Sequence, residues 1–169
     1  MSAIPTVLRS IGAEGAVPFA ERLVVHNVFD DERMWVPYGA GAQIRPLMFD
    51  LANGDYVSVL RTNAGCGIGR HLHPTPVHGW TIQGCWRYLE YDFVLRSGDY
   101  IYEPPGSVHT YSCEEDDTIA FFFQKGPVIY LDEDDQVTSV EDNQSMLAMC
   151  RDHYATVGLD PALLDALVR

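Results

Sequence analysis

The chain has 169 residues, the size of one ordinary domain with room for a real core. Asp and Glu number 24 against 11 Lys and Arg, and the formal charge of -13 disfavours nucleic acid and anionic membrane surfaces as partners. Hydrophobic residues at 47% exclude a disordered chain, and neither a signal-peptide core nor an apolar run of membrane-spanning length occurs, so a soluble, cytoplasmic protein is expected.

In chain order, β-branched and aromatic runs predict strands at Leu23–Phe29, Asp55–Arg61, His78–Gln83, Cys85–Tyr91, Asp99–Glu103 and Thr118–Gln124. Breakers at Asn53-Gly54, Gly65, Gly84, Ser97-Gly98, Pro104-Pro105-Gly106 and Gly126-Pro127 set the short rhythm of an all-β sandwich or barrel, not of βαβ units. The barrel core is expected over about residues 22–132. Beyond Asp135 the pattern turns helical. Ser139 with Asp142 resembles a capping box, and Met146, Leu147, Met149, Cys150, Tyr154 and Val157 keep helical spacing up to Gly158. Asp160-Pro161 then opens a second short helix. One domain over residues 1–169 follows, with C-terminal helices over about 140–168 packed on the barrel or on a neighbouring subunit.

Cys66, Cys85, Cys113 and Cys150 form no CxxC pair and are read as reduced, mostly buried small hydrophobes. The acidic runs Glu114–Asp117 and Asp132–Asp135 lack the ligand spacing and glycine of an EF-hand and are read as solvated loops.

Three of the six histidines carry chemistry by their placement. His71 and His73 are two apart in a segment that reads as strand, so both side chains point to one face. His109 follows the Glu103-Pro104-Pro105-Gly106 turn, which re-aims the chain into a new strand and can bring a third imidazole to the same point. His26 and His153 have no partner at ligand spacing. Trp80, Trp86, Tyr88, Tyr91, Tyr102 and Phe121–Phe123 are divided between core and pocket wall, and the period of two leaves open which face of Trp86–Tyr91 looks inward.

Gly65, five residues, His71, one residue, His73 resembles the first cupin motif. Gly98, five residues, Pro104, one residue, Gly106, two residues, His109 resembles the second. The resemblance implies a double-stranded β-helix, the jelly-roll barrel, around one metal ion held by His71, His73 and His109. The chain departs from the pattern at two places: His78 stands where the first motif usually carries a glutamate ligand, and Cys113 replaces the closing asparagine. Three neutral imidazoles would leave a dication unneutralised and favour a bidentate enolate. The stretches His71-Leu-His-Pro-Thr-Pro-Val-His and Tyr102-Glu-Pro-Pro-Gly-Ser-Val-His are similar to the 2,4'-dihydroxyacetophenone dioxygenase and acetylacetone-cleaving group of cupins.

That resemblance implies a non-haem Fe(II) centre cleaving a carbon–carbon bond of a 2,4'-dihydroxyacetophenone-like hydroxyketone or a 1,3-diketone with O₂; Zn, Ni or Cu can occupy such imidazoles in purified protein. It makes Glu103 a catalytic candidate, which holds a ligand nitrogen or takes the substrate's acidic proton, with a rim carboxylate as the alternative. His78 stays open between a fourth ligand, an outer donor and a substrate contact. The competing class is a non-catalytic metal-binding module like the cupin domain of zinc-dependent anti-sigma factors. A sugar isomerase or epimerase would want the missing carboxylate ligand. Association as a homo-oligomer, most simply a dimer through the N-terminal strand or C-terminal helices, is also expected.

Overall fold

Antiparallel pairing organises residues 22–169, the part of the chain described in this computed structural model. In chain order the strands are β1 (Val36–Pro37), β2 (Ala42–Asp50), β3 (Asp55–Thr62), β4 (Gly67–His73), β5 (Val77–Gln83) and β6 (Cys85–Tyr88). They continue with β7 (Leu95–Arg96), β8 (Tyr100–Glu103), β9 (Ser107–Cys113), β10 (Thr118–Gln124), β11 (Val128–Leu131) and β12 (Val137–Glu141). One six-stranded sheet runs β1-β2-β3-β10-β5-β8, and the other runs β12-β11-β4-β9-β6-β7. Neighbours in sheet and neighbours in sequence differ in the way a jelly roll requires, and the facing sides of the two sheets bury Ile44, Tyr56, Leu60, Trp86, Tyr88, Tyr111 and Phe122.

The body is all-β, as the turn rhythm predicts, but several elements differ from expectation. Leu23–Phe29 is not a strand: Arg22–Asn27 has no regular structure, a turn follows, and Asn27 takes a positive φ of 54°. Among the described residues its β propensity finds no neighbouring strand to pair with. The nine-residue β2 was hidden in the sequence by Pro46, which lacks the donor a ladder needs. A register shift between Pro46 and Met48 accommodates it, so the proline sits at a bulge. The sheet also continues past residue 132, because β11 and β12 form a hairpin around the acidic run. There Asp132 Oδ1 accepts from the backbone N–H groups of Asp134 and Gln136. Both acidic runs are exposed turn segments.

Ser139 therefore lies in β12, and the capping box is formed by Asp142 and Ser145 at the start of helix α1 (Asn143–Thr156). The expected apolar stripe buries Met146, Leu147, Cys150 and Tyr154 against β1, β2 and the core. Tyr154 Oη accepts from the buried Arg45 Nη1 at 2.7 Å. Helix α2 (Ala162–Asp165) starts as Asp160-Pro161 predicts, with Asp160 Oδ1 accepting from Ala162 N, and the tail then pairs with Phe49. All four cysteines are free and buried. No helix among the described residues is long and apolar enough to cross a membrane.

Candidate metal centre

His71 and His73 lie on the inner face of β4, and His109 on β9 is the register partner of His71. Alternation on one strand and pairing with the next thus place three imidazoles around one point. Their ring centroids are 4.6–5.2 Å apart, and one nitrogen from each lies within 4.8 Å of the others. The turn Pro104-Pro105-Gly106 starts β9: Gly106 takes φ 86° and donates its N–H to His73 O at 2.7 Å, locking the two histidine strands together.

All three rings are buried, and burial lowers each below the usual imidazole range, opposed at His71 by its hydrogen bond to Gly69 O. His73 is pushed down to about 3, with His71 adding to the effect, and His109 to about 2 by burial and its two neighbours. The rings are therefore neutral. His71 Nδ1 lies 2.7 Å from Gly69 O; it donates there, so its other nitrogen keeps a lone pair. Tyr88 stacks on His109 with centroids 3.6 Å apart.

Glu103 joins this group from β8. Its side chain is 2% exposed, Tyr88 Oη donates to Oε1, and Oε2 lies 3.3 Å from His109 Nε2 and 3.5 Å from His73 Nε2. Burial raises the carboxyl to about 7, opposed by the Tyr88 hydrogen bond. With neutral rings these contacts are not ion pairs, and neither is a hydrogen bond. Glu103 Oε2 and His109 Nε2 are buried without a hydrogen-bond partner among the described residues. A cation on the three rings satisfies His109 Nε2 and sets a positive charge beside Oε2, so the donor set fits a divalent transition metal held by His71, His73 and His109 beside a carboxylate.

His78 is corrected by the register. On β5, Val77, Gly79 and Thr81 face inward while His78 and Trp80 face out, so His78 is half-buried on the outer surface with Nδ1 at 2.8 Å from Tyr100 Oη. It lies outside the three-histidine cluster and outside the cleft lining. His26 is exposed, and His153 meets Arg33 O far from the centre. Of the aromatics, Tyr88 and Phe122 line the cavity, Trp86 is core, and Trp80 and Tyr102 are exposed.

The cavity beside the triad, about 50 Å³, is also walled by Tyr38, Tyr56, Gln124 and Tyr130. The sequence did not flag these residues. Tyr130 is there because it is the register partner of His71 across β11 and β4, a relation no local motif encodes.

The sequence profile of the ChrR cupin-like domain matches residues 24–129. An RmlC-like cupin protein from Ralstonia eutropha JMP134 superposes with a TM-score of 0.71 at 28% identity, over 75% of this chain and 85% of that one. An acetylacetone dioxygenase from Acinetobacter johnsonii superposes at 0.68 and 14% identity, over 78% and 94%. The Rhodobacter sphaeroides SigE complex with the anti-sigma ChrR gives 0.50 at 20% identity, over 73% and 68%. The last two likenesses show a shared fold alone. Comparison with curated proteins finds no significant match.

Proposed function

The chain belongs to the ChrR cupin-like domain family, and we propose that within it this protein is a non-haem Fe(II) dioxygenase cleaving a carbon–carbon bond of a hydroxyketone or 1,3-diketone with O₂. The observation that carries the reading is a buried carboxylate oxygen without a partner, beside three neutral imidazoles, at the end of a largely apolar cleft. The acetylacetone dioxygenase fold likeness is consistent with it.

The bound metal would supply Lewis-acid stabilisation of an enolate and the one-electron chemistry that O₂ needs. The protein's part follows from its own groups. His71, His73 and His109 hold the ion, and the Gly69 carbonyl fixes the tautomer and orientation of His71. Tyr88 holds Glu103 Oε1, which aims Oε2 at the reacting end of the cleft. A carboxylate brought to about 7 by burial is matched to take an acidic α-proton at Oε2 near neutral pH. Val77, Leu60 and Phe122 keep water from the deprotonated substrate.

A metal-binding module without turnover is the second reading, favoured by the match to the ChrR cupin-like domain and the fold shared with the anti-sigma complex. Anaerobic loading with Fe(II), followed by oxygen-electrode screening of 2-hydroxyacetophenones and 1,3-diketones, separates the two. Oxygen uptake matched by loss of ketone is expected. Full Fe(II) occupancy with no uptake on either class would leave the module.

A further inference from the structure

A chain of hydroxyls joins the triad to a carboxyl that the chemistry above does not use. Tyr130, the register partner of His71, lies on the cavity wall with its ring centroid 5.9 Å from that imidazole. Its Oη is 2.5 Å from Tyr38 Oη, and Tyr38 Oη is 2.7 Å from Glu141 Oε1. Tyr38 follows β1 and Glu141 ends β12, so the chain links the edge strands of the two sheets.

A phenol has one hydrogen to give and lone pairs to receive with. With Glu141 ionised, Tyr38 gives its hydrogen to Oε1 and can only accept from Tyr130, which turns its own hydrogen away from the cavity. With Glu141 protonated the order reverses: the carboxyl gives to Tyr38, Tyr38 gives to Tyr130, and the Tyr130 hydrogen is free to face the cavity. One proton thus decides whether the wall beside His71 offers a donor or an acceptor. Burial places this change near neutral pH, raising Glu141 to about 7 with Asp142 adding to the effect and the Tyr38 hydrogen bond opposing it. The other groups around Glu141 do not titrate there. Tyr38, Tyr130, Tyr56 on β3 and Cys150 on α1 are all pushed up and stay neutral. Asp142 is held low as the cap of α1, and the buried Arg45 gives its Nη1 to Tyr154. The cavity lining contains no Lys or Arg, and its volume of about 50 Å³ suits a few waters or a small anion.

We propose that Tyr130 is a hydrogen-bond donor to a small anion held beside the triad, and that the proton on Glu141, acting through Tyr38, arms it. This role rests on a metal at the three imidazoles and not on the reaction that follows. In the armed state the chain is neutral and presents a hydrogen. In the disarmed state the anion meets a lone pair of Tyr130, with the Glu141 carboxylate behind it.

Azide is a probe of suitable size and charge. Its Kd is measured by calorimetry on the Zn(II)-loaded protein at pH 6 and pH 8.5, for the parent and for Tyr130→Phe, with zinc content and the far-ultraviolet spectrum checked for each. Tyr130→Phe should raise Kd about tenfold at pH 6 and leave it near the parent value at pH 8.5. Taking the ratio of the two proteins at each pH cancels the influence of Glu103 and of hydroxide, which act on both. In a Glu141→Gln background the same ratio should be equal at the two pH values. A ratio near one at both pH values, or no azide binding at full zinc occupancy, would remove Tyr130 from the contacts of the anion. A raised ratio that ignores pH in the parent background, or still follows it in the Glu141→Gln background, would cut the link to Glu141. Each of these overturns the proposal and leaves the dioxygenase reading to the oxygen electrode. Protein that takes up no zinc would bring down the triad reading and the donor role together.

Discussion

Val77 on β5 and Glu103 on β8 are register partners, and both face the inside of the barrel. The inward position after the two histidines of the first motif is thus occupied by a side chain that cannot ligate, while the neighbouring strand delivers a carboxylate to within 3.5 Å of two imidazole nitrogens. The loss of the usual glutamate does not empty the site of negative charge. It moves that charge to a residue held by Tyr88.

Glu103→Gln keeps the shape and burial of this side chain but cannot accept a proton at Oε2. Metal content by elemental analysis should match the parent, and turnover should fall by roughly the 10² to 10⁴ of lost general-base help. A metal-poor variant would make Glu103 a ligand instead. Undiminished turnover would remove it from the proton path.

His109→Ala removes one donor of three and leaves Glu103 buried beside a gap, so metal content should fall severely. His78→Ala is the contrast: its ring meets Tyr100 on the outer surface, and metal content and activity should stay at the parent level. A loss of metal in His78→Ala would contradict the register of β5.

How much of this was legible depends on whether the relation is local. Thr118–Gln124 is a strand over the residues its β-branched and aromatic run marks, and the His71/His73 face follows from a period of two. The outward turn of His78 has the same parity, because Val77, Gly79 and Thr81 are the buried residues of β5 as His71 and His73 are of β4. The strand Ala42–Asp50 was concealed by a proline that only a bulge tolerates. Ser139 and Asp142 both suit an N-cap, and the choice fell to Asp142 because β12 pairs with β11 and claims Ser139. Tyr130 and Gln124 reach the cleft through long-range register alone.

Glu141 carries a stability prediction with a defined sign. Burial raises its carboxyl from 4.5 to about 7, with Tyr38 opposing through its hydrogen bond. A folded value above the unfolded one means that the native state holds its proton more tightly. The associated stability is full below about pH 4.5 and is lost as pH rises through 7. Glu141→Gln removes this dependence, so relative to the parent the variant should gain on the order of 2 kcal/mol at pH 8 and little at pH 4.5. Denaturant melts at the two pH values check it, and a gain independent of pH would place the effect elsewhere.

Metal removal should change both the size and the pH dependence of stability. An ion that binds the folded chain alone stabilises it by about 4 kcal/mol at a thousand times its Kd, so a chelator should lower the melting temperature of the parent and leave His109→Ala unmoved. In the metal-free protein His73 and His109 are held far below the ordinary 6.5 by burial and by their neighbours. The unfolded chain then binds protons that the folded chain refuses. Their contribution is present above pH 6.5 and drains away as pH falls toward 3, where acid forces charge onto buried rings. On the folded rings ligation and protonation compete for one lone pair only near those low values, and the unfolded chain takes up its protons whether or not metal is present. Melting curves of chelated and loaded protein should therefore run parallel from pH 7 to pH 5 and converge as pH falls toward 3. Convergence already between pH 7 and pH 5 would mean that the ion sits on groups that titrate in that range instead of on these nitrogens.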